Sequence, residues 1–172
     1  EKQSADHPNW IWGFHGAAST QTVNSDTSYA AKGEATAFHL GLHTRYAADP
    51  LNGPYLFGHG RVGIASDKME RAIHIQDYSD NHQANWTSWN GSLLLGGGYR
   101  WAVNEALSIG PIATLDYTLL ARPGVNESGR DTSIGLASQR FHSLRSSLGA
   151  QANAQLGTTL KAHMTISWDR AH

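Results

Sequence analysis

Residues 160–168 constrain the fold more than any other stretch. Leu160, Ala162, Met164, Ile166 and Trp168 alternate with Lys161, His163, Thr165 and Ser167, so every even position is apolar and every odd one polar. Successive side chains of a strand point to opposite faces, so this segment has one greasy and one wet face; a helix would scatter the same residues around its circumference. The pattern recurs. In 34–46, Phe38, Leu40, Leu42 and Tyr46 oppose His39, Gly41, His43 and Arg45. In 86–101, Trp89, Leu93, Leu95, Tyr99 and Trp101 oppose Ser92, Gly96, Gly98 and Arg100. In 106–121, Leu107, Ile109, Ala113, Leu115, Tyr117 and Leu119 oppose Ser108, Thr114, Asp116 and Thr118. In 138–154, Leu144, Leu148, Ala150, Ala152 and Ala154 oppose Arg145, Ser147, Gln151 and Asn153. The segment 9–20 groups Trp10, Trp12 and Phe14, and 54–66 is the least regular, with Leu56, Val62 and Ile64 on one parity and Phe57, His59 and Arg61 on the other. The pattern predicts about seven strands and no helix.

The connections between these strands alternate in length. Segments 21–33, 67–85 and 122–137 are long and polar, while 47–53, 102–105 and 155–159 are short and carry the Pro, Asn and Gly of ordinary turns. An antiparallel up-and-down meander sends all long loops to one end and all short turns to the other, which is the asymmetry of outer-membrane barrels. Aromatic residues stand near the strand ends: Trp10, Trp12, Tyr46, Tyr55 and Trp101 beside the short turns, Trp86 and Trp89 beside a long loop. Amphipathic rings at those heights match the two headgroup layers of a bilayer. The expected fold is therefore an all-β, antiparallel up-and-down transmembrane β-barrel, with residues 1–172 a single domain that forms part of it.

Such a barrel turns its leucines to lipid and its polar parity inward. A basic side chain facing lipid at mid-depth costs about 2–4 kcal/mol, so His39, His43, Arg45, Arg61, Arg100, Asp116, Arg145, Gln151, Asn153, Lys161 and His163 are expected to line the lumen, with Asp116 and a lumenal arginine forming an ion-pair wall or, as the lesser alternative, part of a peptide-cleaving site. The chain is nearly neutral, with 13 basic and 14 acidic residues, and shows no basic patch of the kind nucleic acid requires. No run nears the roughly 18 apolar residues of a membrane helix. Cysteine is absent, which excludes disulfides, zinc-thiolate sites and thiol catalysis. His39 and His43, four apart on a strand, are about 13 Å apart at roughly 3.3 Å per residue and cannot share an ion. Neither a G-x-S-x-G nucleophile motif nor phosphate-loop glycine spacing occurs. No enzyme activity, cofactor or metal is expected.

The ordered motifs GSLLLGGGYRW, ALSIGPIATLDYTLL, GVNESGRDTSIGLASQ, FHSLRSSLGAQANAQL and KAHMTISWDRAH, from Asn90 to Asp169, resemble the translocator domain of classical autotransporters, the pertactin-like type V secretion family. Residues 9–66 fit the same layout more loosely. The resemblance implies a twelve-stranded barrel in the outer membrane of a Gram-negative bacterium, with a helix or linker in its pore. It also implies export and anchoring of an N-terminal passenger, with outer-membrane lipid, the passenger and its linker, and the barrel-assembly machinery as partners. With about seven strands and no pore-spanning helix evident in residues 1–8, the chain is expected to be part of such a barrel. Two alternatives share the strand pattern: another outer-membrane barrel, porin-like or adhesin-type, and a soluble barrel with its faces inverted.

Overall fold

The computed structural model describes residues 2–3, 9–25, 29–49, 52–75, 78–130, 132–156 and 160–172, and the side chains of these except at 2, 3, 29, 30, 75, 156 and 161. The described residues are built on strands, with no helix among them. The elements are β1 (Lys2–Gln3), β2 (Trp10–Ser25), β3 (Tyr29–Ala47), β4 (Gly53–Ile75), β5 (Tyr78–Ala102), β6 (Leu107–Arg122), β7 (Val125–Asn126), β8 (Gly135–Leu136), β9 (Gln139–Leu156) and β10 (Leu160–Ala171). All but β7 and β8 form one antiparallel sheet in the order β1-β2-β3-β4-β5-β6-β9-β10; β7 and β8 form a small hairpin inserted between β6 and β9. The seven long strands are those the alternation predicts. Among the described residues β10 pairs only with β9, so the sheet is an open meander.

The registers fix which side chains share a face. Phe38 lies opposite Ala18 and Ile64, and Ile64 opposite Trp89; Leu148 lies opposite Ala113 and Trp168. One face of the sheet is therefore a continuous apolar band, and it is open: Leu40 is 70 % and Phe14 81 % exposed. Exposure alternates along the inner strands, where the polar face is the more buried one, as in β3 from Ala31 to Leu42 and in β5 from Tyr78 to Trp89, whereas β10 and the upper half of β2 are exposed on both faces. A flat sheet bare on both sides would expose both equally. The sheet curls toward its polar face, crowding those side chains together and spreading the apolar ones, as barrel closure requires.

Two local devices permit this curl. Glycines on the polar face leave room for a large side chain from the neighbouring strand: a Cβ at Gly96 would overlap the Phe57 ring, and one at Gly98 would meet Tyr55. Pro111 brings no N–H, and the β5–β6 ladder skips Tyr99 and Arg100 opposite Pro111 and Gly110 before resuming at Trp101 and Ile109.

The connection lengths need one correction. Residues 67–85 are not a loop: β4 and β5 run on as a paired arm, in 23 and 25 residues, until Ile75 meets Tyr78. β2 and β3 similarly pair through Ser25 and Ala31, inside the predicted loop 21–33. The outward apolar series stops near Ile64 on β4 and Trp89 on β5, to be followed by Ser66, Lys68 and Glu70 and by Thr87, Asn85 and Gln83. Beyond the lipid both faces meet water, so the period-two contrast that marks a strand in sequence disappears although the pairing continues. Most of the predicted turn at 155–159 lies outside the described residues.

Candidate functional site on the polar face

The polar face carries the chemistry, in three zones along the strands. Nearest the short turns, Tyr55 on β4 is only 3 % exposed and packs beneath the Arg100 guanidinium, 4.3 Å from its ring centroid. Arg100 (7 % exposed), Ser108 and Gln151 are buried around it. This corrects the reading of Tyr55 as a membrane-interface ring. Gly98, its cross-strand neighbour, leaves a vacancy into which the tyrosine fits, and the broken alternation of 54–66 concealed its parity. Trp86 is corrected likewise: it lies opposite Asp67 on the polar face, with the Arg122 guanidinium 5.8 Å from its ring.

In the middle zone, His15, His43 and His59 approach one another from β2, β3 and β4. His39 is half-buried against Gly63, and Arg45 and Arg61 are exposed. Asp116 stands opposite Arg145 and accepts a hydrogen bond from Thr118 at 3.3 Å. His163 Nδ1 lies 2.7 Å from Asn153 Oδ1, and the hydroxyl of Thr165 2.9 Å from its Nε2. The expected lumen residues thus share one face of the sheet; for Lys161 the backbone register puts it opposite Gln155, while its side chain lies outside the described residues.

The third zone is one the sequence reading missed. On the arm, Arg71 of β4 and His82 of β5 are cross-strand neighbours, and the β6–β9 connection folds Glu127 against them. Arg71 donates to Glu127 through Nε at 3.1 Å and Nη2 at 2.5 Å, and to the Thr132 carbonyl at 3.1 Å. The Ile134 N–H also donates to Glu127, at 3.1 Å. His82, 1 % exposed, sits 2.8 Å from the Thr132 hydroxyl, which donates to Asp80 at 3.2 Å. Backbone bonds between Gln83 and Ser128 fasten the connection to the edge of β5. Arg71 holds the Glu127 carboxyl below the ordinary carboxylate range despite its burial. Burial pushes Asp80 up, but hydrogen bonds from Tyr78 and Thr132 and the neighbouring His82 outweigh it and keep the group low. No spacing announces this network, since its members come from three segments brought together by register.

On the opposite, apolar face the outward rings stand in two rows. Trp10 and Tyr46 pack at 5.1 Å and Tyr99 and Trp101 at 5.4 Å, with Trp12 nearby, toward the short turns. Trp89, Tyr117 and Trp168 stand toward the arms. Among the described residues no group of three or more His, Cys, Asp or Glu is placed to hold a metal ion.

Comparison with known proteins agrees with this geometry. The family described as autotransporter beta-domain matches residues 3–172. Two proteins of Serratia marcescens, each named extracellular serine protease, are 25 % and 27 % identical over 135 and 138 residues. Those stretches cover 77 % and 79 % of this chain but 12 % of each relative. The translocator domain of autotransporter NalP from Neisseria meningitidis superposes with a TM-score of 0.61 at 17 % identity, over 93 % of this chain and 61 % of that one; at that identity the likeness is one of fold. The chain belongs to the autotransporter β-domain family and is part of an outer-membrane translocator barrel of a Gram-negative bacterium.

Proposed function

We propose that residues 1–172 form a contiguous wall of a closed barrel that carries its own passenger to the cell surface and then anchors it. The supporting observation is the fully open apolar band bounded by two rows of tryptophan and tyrosine, on the face opposite every buried charge. Such a face has no use in water, where an apolar patch of this extent invites aggregation; against acyl chains it is matched. Open edges cannot persist in hydrocarbon, because each unpaired N–H and C=O there costs several kcal/mol, so the edge of β2 beyond its short pairing with β1 and the outer edge of β10 pair with further strands of the same barrel.

In this reading the polar face, with His39, His43, Arg45, Arg61, Arg100, Asp116, Arg145, Gln151, Asn153, Lys161 and His163, lines the passage and contacts the linker. Trp10, Trp12, Tyr46, Trp89 and Trp101 seat the barrel in the headgroups. Lipid and the barrel-assembly machinery are its other partners. The wall itself is not catalytic: the protease name of the Serratia relatives describes proteins of which this chain matches 12 %. The test takes the intact protein in native outer membranes, compares gel mobility with and without boiling, and follows passenger exposure to added protease on whole cells. A heat-dependent band shift together with passenger digestion is expected. A protein that resists urea extraction yet leaves its passenger protected in the periplasm would refute export; one that is soluble and runs identically either way would refute the barrel.

A further inference from the structure

We infer that His15 of β2 and His59 of β4 form a binding pair for a nitrogen-seeking divalent transition-metal ion, of the Zn²⁺, Ni²⁺ or Cu²⁺ class, on the polar face. The two residues lie on strands that are not neighbours: β3 runs between them, and the position it offers opposite His15 is Gly41. A side chain there would occupy the space the His15 ring now fills, since a Cβ on Gly41 overlaps its Cε1 and Nε2. The glycine is therefore a gap through which the imidazole of β2 reaches that of β4, and His43, adjacent to His59 in register, closes a third side.

The geometry favours an ion over a plain hydrogen bond. The two Nε2 atoms are 3.4 Å apart, the ring centroids 5.1 Å, and the planes incline by 17°. Two imidazoles bound to one ion at about 2.05 Å and near the tetrahedral angle would place their nitrogens roughly 3.3 Å apart and their centroids roughly 5 Å apart. A hydrogen bond between ring nitrogens prefers about 2.9–3.0 Å, so 3.4 Å is long for that contact and suited to an ion bridging the pair. The remaining positions fall to water. Arg45 and Arg61 project from the same face and oppose any divalent cation alike, so the pair must hold its ion through coordinate bonds. Ca²⁺ and Mg²⁺, which need oxygen ligands, are excluded, while imidazole donors retain Zn²⁺, Ni²⁺ and Cu²⁺.

The test uses the untagged full-length protein in detergent, freed of metal and titrated with Cu²⁺ while the electron paramagnetic resonance spectrum is followed, with Zn²⁺ as competitor. The wild type is expected to show one ion with nitrogen hyperfine structure that His15→Ala and His59→Ala each abolish, while His142→Ala, beside Tyr117, leaves it intact. Each variant must retain its heat-dependent gel shift, which separates loss of the site from loss of the fold. A Gly41→Val variant, which blocks the gap without removing an imidazole, is expected to lose the signal as well. Wild type without that signal, or a signal that persists in His15→Ala, overturns the assignment.

Discussion

Replacing Glu127 by alanine should free the β6–β9 connection from the arm without opening the barrel. The carboxylate accepts two bonds from Arg71 and one from the Ile134 N–H, and its side chain is inaccessible to solvent while that of Arg71 is one-fifth exposed. Breaking a buried pair by removing one partner costs about 3–5 kcal/mol. At about 1.4 kcal/mol per factor of ten, this raises the undocked population roughly 10²- to 5 × 10³-fold. Arg130, exposed within the connection, provides the readout, since trypsin cleaves there only when the segment accommodates to its active site. With opening fast relative to cleavage, the initial rate of proteolysis tracks the open population. The variant should be cut on intact cells at least about a hundredfold faster, until cleavage of the open segment itself becomes limiting, while its boiled and unboiled bands remain distinct. Glu127→Gln, which keeps an acceptor but loses the charge, should fall between. Acid should act in the same direction. Because the folded carboxyl lies below its ordinary range, its stabilisation is complete above about pH 4.3, the ordinary glutamate value, and fades as pH falls through the folded value. Wild-type docking, followed by the mobility of a spin label attached at Arg130→Cys, should therefore be constant near neutrality and loosen only in acid. A Glu127→Ala variant cleaved at the wild-type rate would show that the network is incidental to docking.

Three further outcomes follow from the two faces. Leu40→Arg, at the middle of the apolar band, should cost about 2–4 kcal/mol in urea unfolding from lipid vesicles, whereas His39→Arg, one residue away on the polar face, should cost far less; equal losses would mean the faces are wrongly assigned. Gly96→Val should destabilise by about 1–3 kcal/mol through collision with Phe57, and adding Phe57→Ala should recover part of that in the same unfolding assay. Arg100→Met and Tyr55→Leu should be non-additive by about 0.5–3 kcal/mol in a double-mutant cycle, because either change alone already removes the contact between guanidinium and ring; strict additivity would show that the stacked pair contributes nothing.

Much of this architecture is legible in the chain because lipid and a wet interior impose opposite demands on alternate residues. Leu160 to Trp168 reads as a strand with its outer face assigned, and so do Leu93 with Leu95 and Leu144 with Leu148. The signal fails where one demand is lifted. Beyond Ile64 and Trp89 no lipid remains, so Asp67 to Ile73 reads as a polar loop although it is fully paired. It fails again where packing overrides height: Tyr55 and Trp86 stand near the two limits of the outward apolar series, as interface rings should, yet face inward, Tyr55 because Gly98 makes room for it. The pairings of His15 with His59, and of Arg71 with Glu127, depend on which strands lie side by side and in what register. No local pattern contains that information.

The uneven strand lengths shape the rim. From Ile64 to Ile75 the arm rises about 36 Å along the strand at roughly 3.3 Å per residue, or about 25 Å in height at a 45° tilt. β6, by contrast, ends at Arg122, close above its last outward apolar residues. The β6–β9 connection, fastened to the edge of β5 through Gln83 and Ser128, fills part of the step above β6. In the proposed reading a polypeptide leaving here would be screened from its surroundings along β4–β5 and the docked connection and would meet them first over β9, where Gln139 pairs with Arg122 at the top of β6, so the profile of the rim would give its departure a direction before any folding of the cargo begins.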